Sequence, residues 1–96
     1  MKPNYEYPLD MDWTKDEMVQ AVTFYELVED AYEGGTNRDN LLAAYAGFKQ
    51  VVPDKGTEKR YDRMFKDQSG YSFYHAVKQA RESDERRIRV EMKHYE

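Results

Sequence analysis

Apolar side chains recur at intervals of three and four residues in several stretches of the chain, and polar or turn-forming residues separate these stretches. Such spacing places the apolar positions on one face of an α-helix. The clearest example runs from Leu41 to Val52, with apolar residues at i, i+3, i+4, i+7, i+10 and i+11. The pattern therefore predicts four amphipathic helices.

The first predicted helix begins after Thr14 and ends at Gly34-Gly35. Thr14 and Glu17 have the spacing of a capping box, in which each side chain accepts the backbone N–H of the other residue. Trp13 and Met18 stand at the two positions of a hydrophobic staple. The apolar stripe of this helix consists of Val19, Val22, Phe24, Tyr25, Leu27, Val28, Ala31 and Tyr32. The glycines end the helix because glycine readily adopts a left-handed conformation.

The second predicted helix is capped by Thr36 or Asn37 and is stopped by Pro53. The third begins between Asp54 and Thr57, and Ser69-Gly70 closes it. Its predicted buried face consists of Tyr61, Met64 and Phe65.

The fourth predicted helix has Ser72 as its N-cap and fades near Ser83. Its apolar positions are Phe73, Tyr74, Ala76, Val77 and Ala80. The polar tail that follows, residues 84–96, has three possible forms: it frays, it extends the helix, or it makes a short extended arm.

Short connections between helices favour antiparallel neighbours. We therefore predict one all-α domain over residues 1–96, a small antiparallel four-helix bundle made of two αα-hairpins. Pro3 and Pro8 make residues 1–13 an extended N-terminal lead-in. Because this segment is rich in large apolar side chains, we expect it to lie across the bundle.

Composition and charge exclude several classes of protein. The 96 residues contain no cysteine, so there is no disulfide, thiolate zinc site or thiol nucleophile. The start of the chain has no apolar stretch suited to a signal peptide, and no apolar run reaches the ~18 residues of a membrane span. We therefore expect a cytoplasmic protein without membrane association.

The net charge of −4 conceals an asymmetry. Residues 1–54 carry four Lys and Arg against eleven Asp and Glu, whereas residues 55–96 carry eleven against eight. Such a distribution is compatible with pairing inside the molecule, self-association or a charged partner. It argues against a general nucleic-acid binder, which usually has a clear basic excess.

Two acidic stretches of the sequence contain carboxylates that could hold a metal or act in acid–base chemistry. The alternating residues Asp10, Asp12, Thr14 and Asp16 begin like a calcium loop, but Lys15 and Ala21 replace its essential glycine and glutamate. The second stretch consists of Glu26, Glu29, Asp30 and Glu33, and we interpret it as a solvated face of the first helix. We expect no metal and no cofactor.

Asp30 and Glu33 stand at the C-terminal end of the first helix, where negative charge is unfavourable. We hypothesise that a basic group covers them, either from a partner or from Arg86, Arg87 or Arg89 of the tail.

Ser72 and His75 could be a nucleophile and its base, but no orienting acid or oxyanion site accompanies them. We interpret Ser72 as a helix cap and His75 as a surface residue, and expect no enzymatic activity. The third and fourth helices could also form a helix-turn-helix. Its second helix would present Ser72, His75, Lys78, Gln79 and Arg81 to DNA.

The segments YPLDMDWT, FKQVVPDKGTEK and SGYSFYHAVKQA resemble the small Firmicutes proteins of uncharacterised protein family 0223. The resemblance extends over about residues 5–82 and does not include the tail after Ser83. It implies an all-α small bundle in a bacterial cytoplasm, and it implies no activity, cofactor or site residue.

The surplus of aromatic residues favours a non-enzymatic interaction module or adaptor, whose partner is a protein, including a second copy of the chain. The candidate interface residues are Tyr5, Tyr7, Trp13, Tyr71, Tyr74, Arg86, Arg87 and Arg89. The alternative is association with nucleic acid or the ribosome through the mildly basic C-terminal half.

Overall fold

Residues 7–91 are described by a computed structural model of the chain, and the four predicted helices are present in it. Their bounds are Lys15–Glu33 (α1), Arg38–Val51 (α2), Lys55–Ser69 (α3) and Phe73–Glu82 (α4). The all-α prediction is confirmed, with the addition of one very small sheet between Thr36–Asn37 (β1) and Arg87–Ile88 (β2).

Local capping chemistry fixes where the helices begin. The N-cap side chain of every helix accepts a backbone N–H from three residues ahead; the caps are Thr14, Asn37, Asp54 and Ser72. At α1 the capping box is complete, because Glu17 also accepts the Thr14 N–H at 2.8 Å. Gly70 ends α3 in the left-handed conformation, with φ of 83°. The predicted boundaries therefore follow from side chains close in sequence.

The four apolar stripes meet in an aromatic centre to which every helix contributes. Its fully buried rings are Phe24 and Tyr25 from α1, Phe48 from α2, Phe65 from α3 and Phe73 from α4. The ring centroids lie 4.9 Å apart for Phe24 and Phe48 and 5.0 Å apart for Tyr25 and Phe65. These distances are typical of packed aromatic pairs, which add to the energy of apolar burial.

Two residues of the apolar stripes predicted for α1 and α3 are exposed. Val19 is 55% exposed and Met64 is 42% exposed. At about 100° per residue, Val19 points about 160° away from Ala21, which faces the core. Met64 similarly lies to one side of the α3 face that Tyr61 and Phe65 bury. The broad stripes predicted for α1 and α3 were wrong at these positions.

The described part of the lead-in, residues 7–13, packs against α1 and α3. The Tyr7 ring stacks on Tyr25 with 5.5 Å between centroids, and the Tyr25 hydroxyl donates to the Pro8 carbonyl at 2.8 Å. Trp13 meets the Tyr61 ring edge-on at 5.6 Å. The lead-in therefore covers the aromatic centre, as its apolar content predicts.

The chain after α4 forms an extended arm, which we call the C-terminal arm (residues 84–91). Thr36 pairs with Ile88 and Asn37 with Arg87 in an antiparallel register. Ile88 and Val90 are buried, and the Val90 N–H donates to the Ala31 carbonyl at 2.8 Å. Of the three forms considered for the tail, the structure has the extended arm over these residues.

None of the helices within residues 7–91 is long and apolar enough to cross a membrane.

Candidate interaction surface

The aromatic candidates occupy different environments. Tyr5 lies outside the described residues. Tyr7 and Trp13 are half-buried in the lead-in contacts described above. Tyr71 stacks on Tyr32 with 4.5 Å between nearly parallel rings, and its hydroxyl donates to Glu33. Tyr74, by contrast, is 58% exposed.

Glu29 corrects the interpretation of the acidic row as a solvated face. Its side chain is fully buried, and its Oε1 accepts a 2.7 Å hydrogen bond from the Tyr7 hydroxyl. Glu26, Asp30 and Glu33 are exposed, as predicted. Glu29 therefore belongs to the packing of the lead-in on α1.

The three candidate arginines lie on the C-terminal arm. Arg87 donates from Nη2 to the Gly35 carbonyl at 3.2 Å and approaches the Gly34 carbonyl at 3.5 Å. The hydrogen bonds that Arg87 donates are to these backbone carbonyl oxygens. A cation at the C-terminal end of a helix is favourable, so Arg87 is well placed at the end of α1. The covering of Asp30 and Glu33 by a basic group stays a prediction. Arg86 and Arg89 are exposed.

Helix α4 is held at its start by a carboxylate of α3. Asp62 accepts the Ser72 hydroxyl and the Phe73 N–H, each at 2.9 Å. Burial raises the pKa of Asp62 above its ordinary value, although these hydrogen bonds act in the opposite direction. Since Ser72 is buried and bonded to Asp62, the helix-turn-helix interpretation was wrong to present it to DNA.

The outward face of α4 carries exposed residues at helical spacing. We call Tyr74, Lys78, Arg81 and Glu82 the α4 surface. Positions i, i+4, i+7 and i+8 lie above one another on a helix. Phe73, Ala76, Val77 and Ala80 point the other way into the core. One face therefore anchors α4 and the opposite face is exposed.

A hollow of about 170 Å³, the α4–α2 hollow, lies beside this surface. Tyr45, Tyr74 and Val77 supply its apolar lining, and Lys78 and Arg81 stand among them. The Arg81 guanidinium carbon lies 5.2 Å from the Tyr45 ring centroid, which is within range of a cation–π contact. The hollow thus combines aromatic and cationic groups.

Tyr45 is fixed in this lining by a hydrogen-bond network. Its hydroxyl donates to Glu58 Oε2 at 2.6 Å, and Lys49 donates to Glu58 Oε1 at 2.8 Å. Burial, followed by the hydrogen bond to Glu58, raises the pKa of Tyr45 to about 12. The ring is therefore neutral and held in place at physiological pH.

A second hollow of about 510 Å³ lies between α4 and the C-terminal arm. Residues of mixed charge line it, including Lys78, Glu82, Arg89 and Glu91. Because Lys78 and Glu82 belong to both hollows, the two form adjoining parts of one surface.

A separate exposed feature lies in the lead-in. Residues 10–13, which we call the Met11 turn, are closed by a 3.0 Å hydrogen bond from the Trp13 N–H to the Asp10 carbonyl. The Asp12 N–H also donates to the Asp10 side chain at 2.8 Å. Met11 is 88% exposed at this turn.

From the sequence, Lys78 and Arg81 were predicted to contact a partner only in the DNA alternative, and Tyr45 was assigned to the apolar stripe of the second helix. The helical spacing of Tyr74, Lys78 and Arg81 is the signal that could have identified the α4 surface. No pattern in the sequence predicts the exposure of Met11, because that exposure depends on how Trp13 anchors the turn.

Comparison with known proteins confirms the family resemblance. The model of an uncharacterised protein family, UPF0223, matches residues 4–89 and thus includes most of the C-terminal arm. The UPF0223 protein YktA of Bacillus subtilis is 49% identical, over 90% of this chain and 98% of the relative. A relative from Oceanobacillus iheyensis is 46% identical over 91% and 99% of the two chains. One from Streptococcus sanguinis is 49% identical over 84% and 88%.

Proposed function

This chain belongs to the uncharacterised protein family UPF0223, and we propose that it is a non-enzymatic protein-interaction module that binds its partner through the α4 surface. The supporting observation is the exposure of Tyr74, at 58%, on the rim of a hollow lined by Tyr45 and Val77. Exposed aromatics beside an apolar depression are typical of protein interfaces.

The charges of the surface indicate the partner's chemistry. Lys78 and Arg81 stand beside the aromatic lining, and the only carboxylate on the α4 surface is Glu82. A segment that carries carboxylates next to an apolar side chain would meet both requirements. The proposed partner is therefore a protein with an acidic contact segment.

The non-enzymatic part of the proposal is supported by the structural roles of the polar groups that could do chemistry. The Ser72 hydroxyl donates to Asp62, Glu29 accepts from Tyr7, and Glu58 accepts from Tyr45 and Lys49. Each of these groups joins two elements of the fold. A cytoplasmic location, proposed from the absence of cysteine, is compatible with this role.

The alternative partner is nucleic acid, bound through the exposed side chains of Lys78, Gln79 and Arg81. Glu82 and Glu91 lie among these cations and would repel phosphate. We therefore favour the protein partner and treat nucleic acid as an outcome of the test.

The test is photo-crosslinking in cells, with the crosslinking amino acid at Tyr74 and a control at exposed Lys66 on α3. We expect a discrete protein adduct at position 74 and none at position 66. Lys78→Glu in the same chain should reduce its yield. An adduct that disappears on nuclease digestion would favour nucleic acid, and identical patterns at the two positions would overturn the proposal.

A further inference from the structure

We infer that the segment bound by the α4 surface is the Met11 turn of a second copy of this chain, so that the protein self-associates. This inference rests on the proposed function and names its partner. It joins two features that lie in different parts of the fold: an exposed methionine between two aspartates, and a hollow lined by aromatics and cations.

The Met11 turn is suited to insertion because it is both exposed and ordered. Met11 is 88% exposed, more than Leu9, Val19, Met64 or Tyr74, the other exposed large apolar residues of the described chain. The hydrogen bonds to Asp10 and the packing of Trp13 on Tyr61 fix the turn before any partner arrives. A preformed turn loses little conformational entropy on binding.

The α4–α2 hollow matches the turn in size and polarity. Its volume of about 170 Å³ is several times the roughly 30 Å³ that one water occupies in the liquid. A methionine side chain has only four heavy atoms, so the hollow has room for it. Tyr45, Tyr74 and Val77 offer the apolar contacts, and methionine adapts readily to irregular aromatic sites.

The charges match as well. Asp10 and Asp12 flank Met11, whereas the hollow is lined by two cations, Lys78 and Arg81, and one carboxylate, Glu82. This local match repeats the asymmetry of the whole chain, in which residues 1–54 have a balance of −7 and residues 55–96 a balance of +3. Opposite potentials on two surfaces of one molecule favour contact between copies.

The turn is anchored on α3 through Tyr61, and the hollow lies between α2 and α4. When each copy inserts its turn into the hollow of the other, the two contacts together form the same interface on both copies, which is a two-fold dimer. Such a dimer contains two identical contacts, and each pairs Asp12 of one copy with Lys78 of the other.

A charge exchange between two variants tests this arrangement by sedimentation velocity over a range of concentrations. Asp12→Lys places a cation opposite Lys78, and Lys78→Glu places an anion opposite Asp12. Each variant alone should dissociate at about tenfold higher concentration or more than the unmodified chain. An equimolar mixture should dimerise again, because both contacts then join opposite charges.

Glu26→Lys is the matched control, since it makes the same charge change at an exposed position of α1. It should leave the dissociation constant unchanged within about twofold, whereas Met11→Ala should raise it. Association of the unmodified chain without rescue in the mixture would overturn this pairing.

A monomer at every concentration would overturn self-association. It would not overturn the proposed function if crosslinking at position 74 still captures a different protein. If crosslinking there also captures nothing specific, both proposals fail.

Discussion

The hydroxyl of Tyr7 donates a 2.7 Å hydrogen bond to Oε1 of Glu29, a carboxylate that is fully buried in α1. The two residues are 22 positions apart, and the bond ties the lead-in to the centre of the bundle. Buried polar atoms need such bonds because their loss exposes the full cost of removing them from water. The lead-in is therefore part of the folded core.

Removing the Tyr7 hydroxyl should destabilise the fold. We expect Tyr7→Phe to lower the free energy of unfolding by roughly 1–3 kcal/mol, the range for a buried polar group that loses its hydrogen-bond partner. Urea denaturation provides the measurement. Tyr74→Phe makes the same chemical change at an exposed position and should remain within about 0.5 kcal/mol of the unmodified chain. Equal effects of the two substitutions would contradict the role of the Tyr7–Glu29 bond.

A side chain at Gly35 should destabilise the fold. Its φ is +115°, and an added Cβ would lie 3.0 Å from both the Arg87 Nε and the Ile88 carbonyl oxygen. Gly35→Ala should therefore cost about 1–3 kcal/mol of stability, since it combines backbone strain with a close approach of the arm. Thermal unfolding followed by circular dichroism measures the loss.

Gly34→Ala is the matched control for that substitution. A Cβ at Gly34 would have no neighbour within 4 Å. We expect a clearly smaller change than at Gly35, and a reversed order of the two variants would show that the arm does not approach Gly35.

Ile88 tests whether the C-terminal arm contributes to the core. It is 3% exposed, so Ile88→Ala should cost about 2–5 kcal/mol through lost contacts and the cavity left behind. In a domain of this size each kcal/mol lowers the melting temperature by roughly 4–8 °C. Arg86→Ala removes an exposed side chain and keeps the backbone carbonyl that Arg38 binds. A melting temperature equal to that of Arg86→Ala would exclude a structural role for Ile88.

Asp62 should give the fold a characteristic dependence on pH. Because its pKa is raised in the folded chain, the folded state keeps a proton at pH values where the unfolded chain has lost it. The resulting stabilisation is complete below the ordinary pKa of 3.8 and is lost as pH rises through the raised pKa. Asp62→Asn should lack this loss, so its stability relative to the unmodified chain should improve over that interval.

Asp54 provides a control of opposite sign. Hydrogen bonds from Thr57 lower its pKa, so its contribution is present above pH 3.8 and is lost as pH falls through the lowered value. Relative to the unmodified chain, Asp62→Asn should become more stable as pH rises from about 3 to about 7, and Asp54→Asn should become less stable. Urea unfolding midpoints of the three chains over this range measure both changes. Parallel curves would contradict the assigned environments.

The helices could be predicted because their signals are local. Thr14 and Glu17 form their capping box within one turn, and Gly70 ends α3 by its own conformational freedom. The spacing of apolar residues also predicted the apolar positions of Phe24, Phe48 and Phe73, which are buried in the structure. These features depend on residues that are close in sequence or that repeat with the helical period.

The remaining features depend on contacts between distant residues. Thr36 and Ile88 pair across 52 positions, and no pattern near either residue specifies a two-residue strand. Glu29 has the sequence context of a surface acid, and the hydroxyl that donates to it in the structure belongs to Tyr7, 22 positions away. The prediction of the α4 surface from sequence was incomplete for the same reason. Tyr45 of α2 and Arg81 of α4 come together only when the two helices pack.

The pairing of Thr36 with Ile88 also has a consequence for synthesis on the ribosome. At about 5–20 residues per second, residue 88 is added roughly 3–10 s after residue 36. During that interval α1 and α2 can be complete, yet the nascent chain still exposes the apolar surface that Ile88 and Val90 later cover. The covering of this surface therefore has to wait until residues 88–90 have been synthesised.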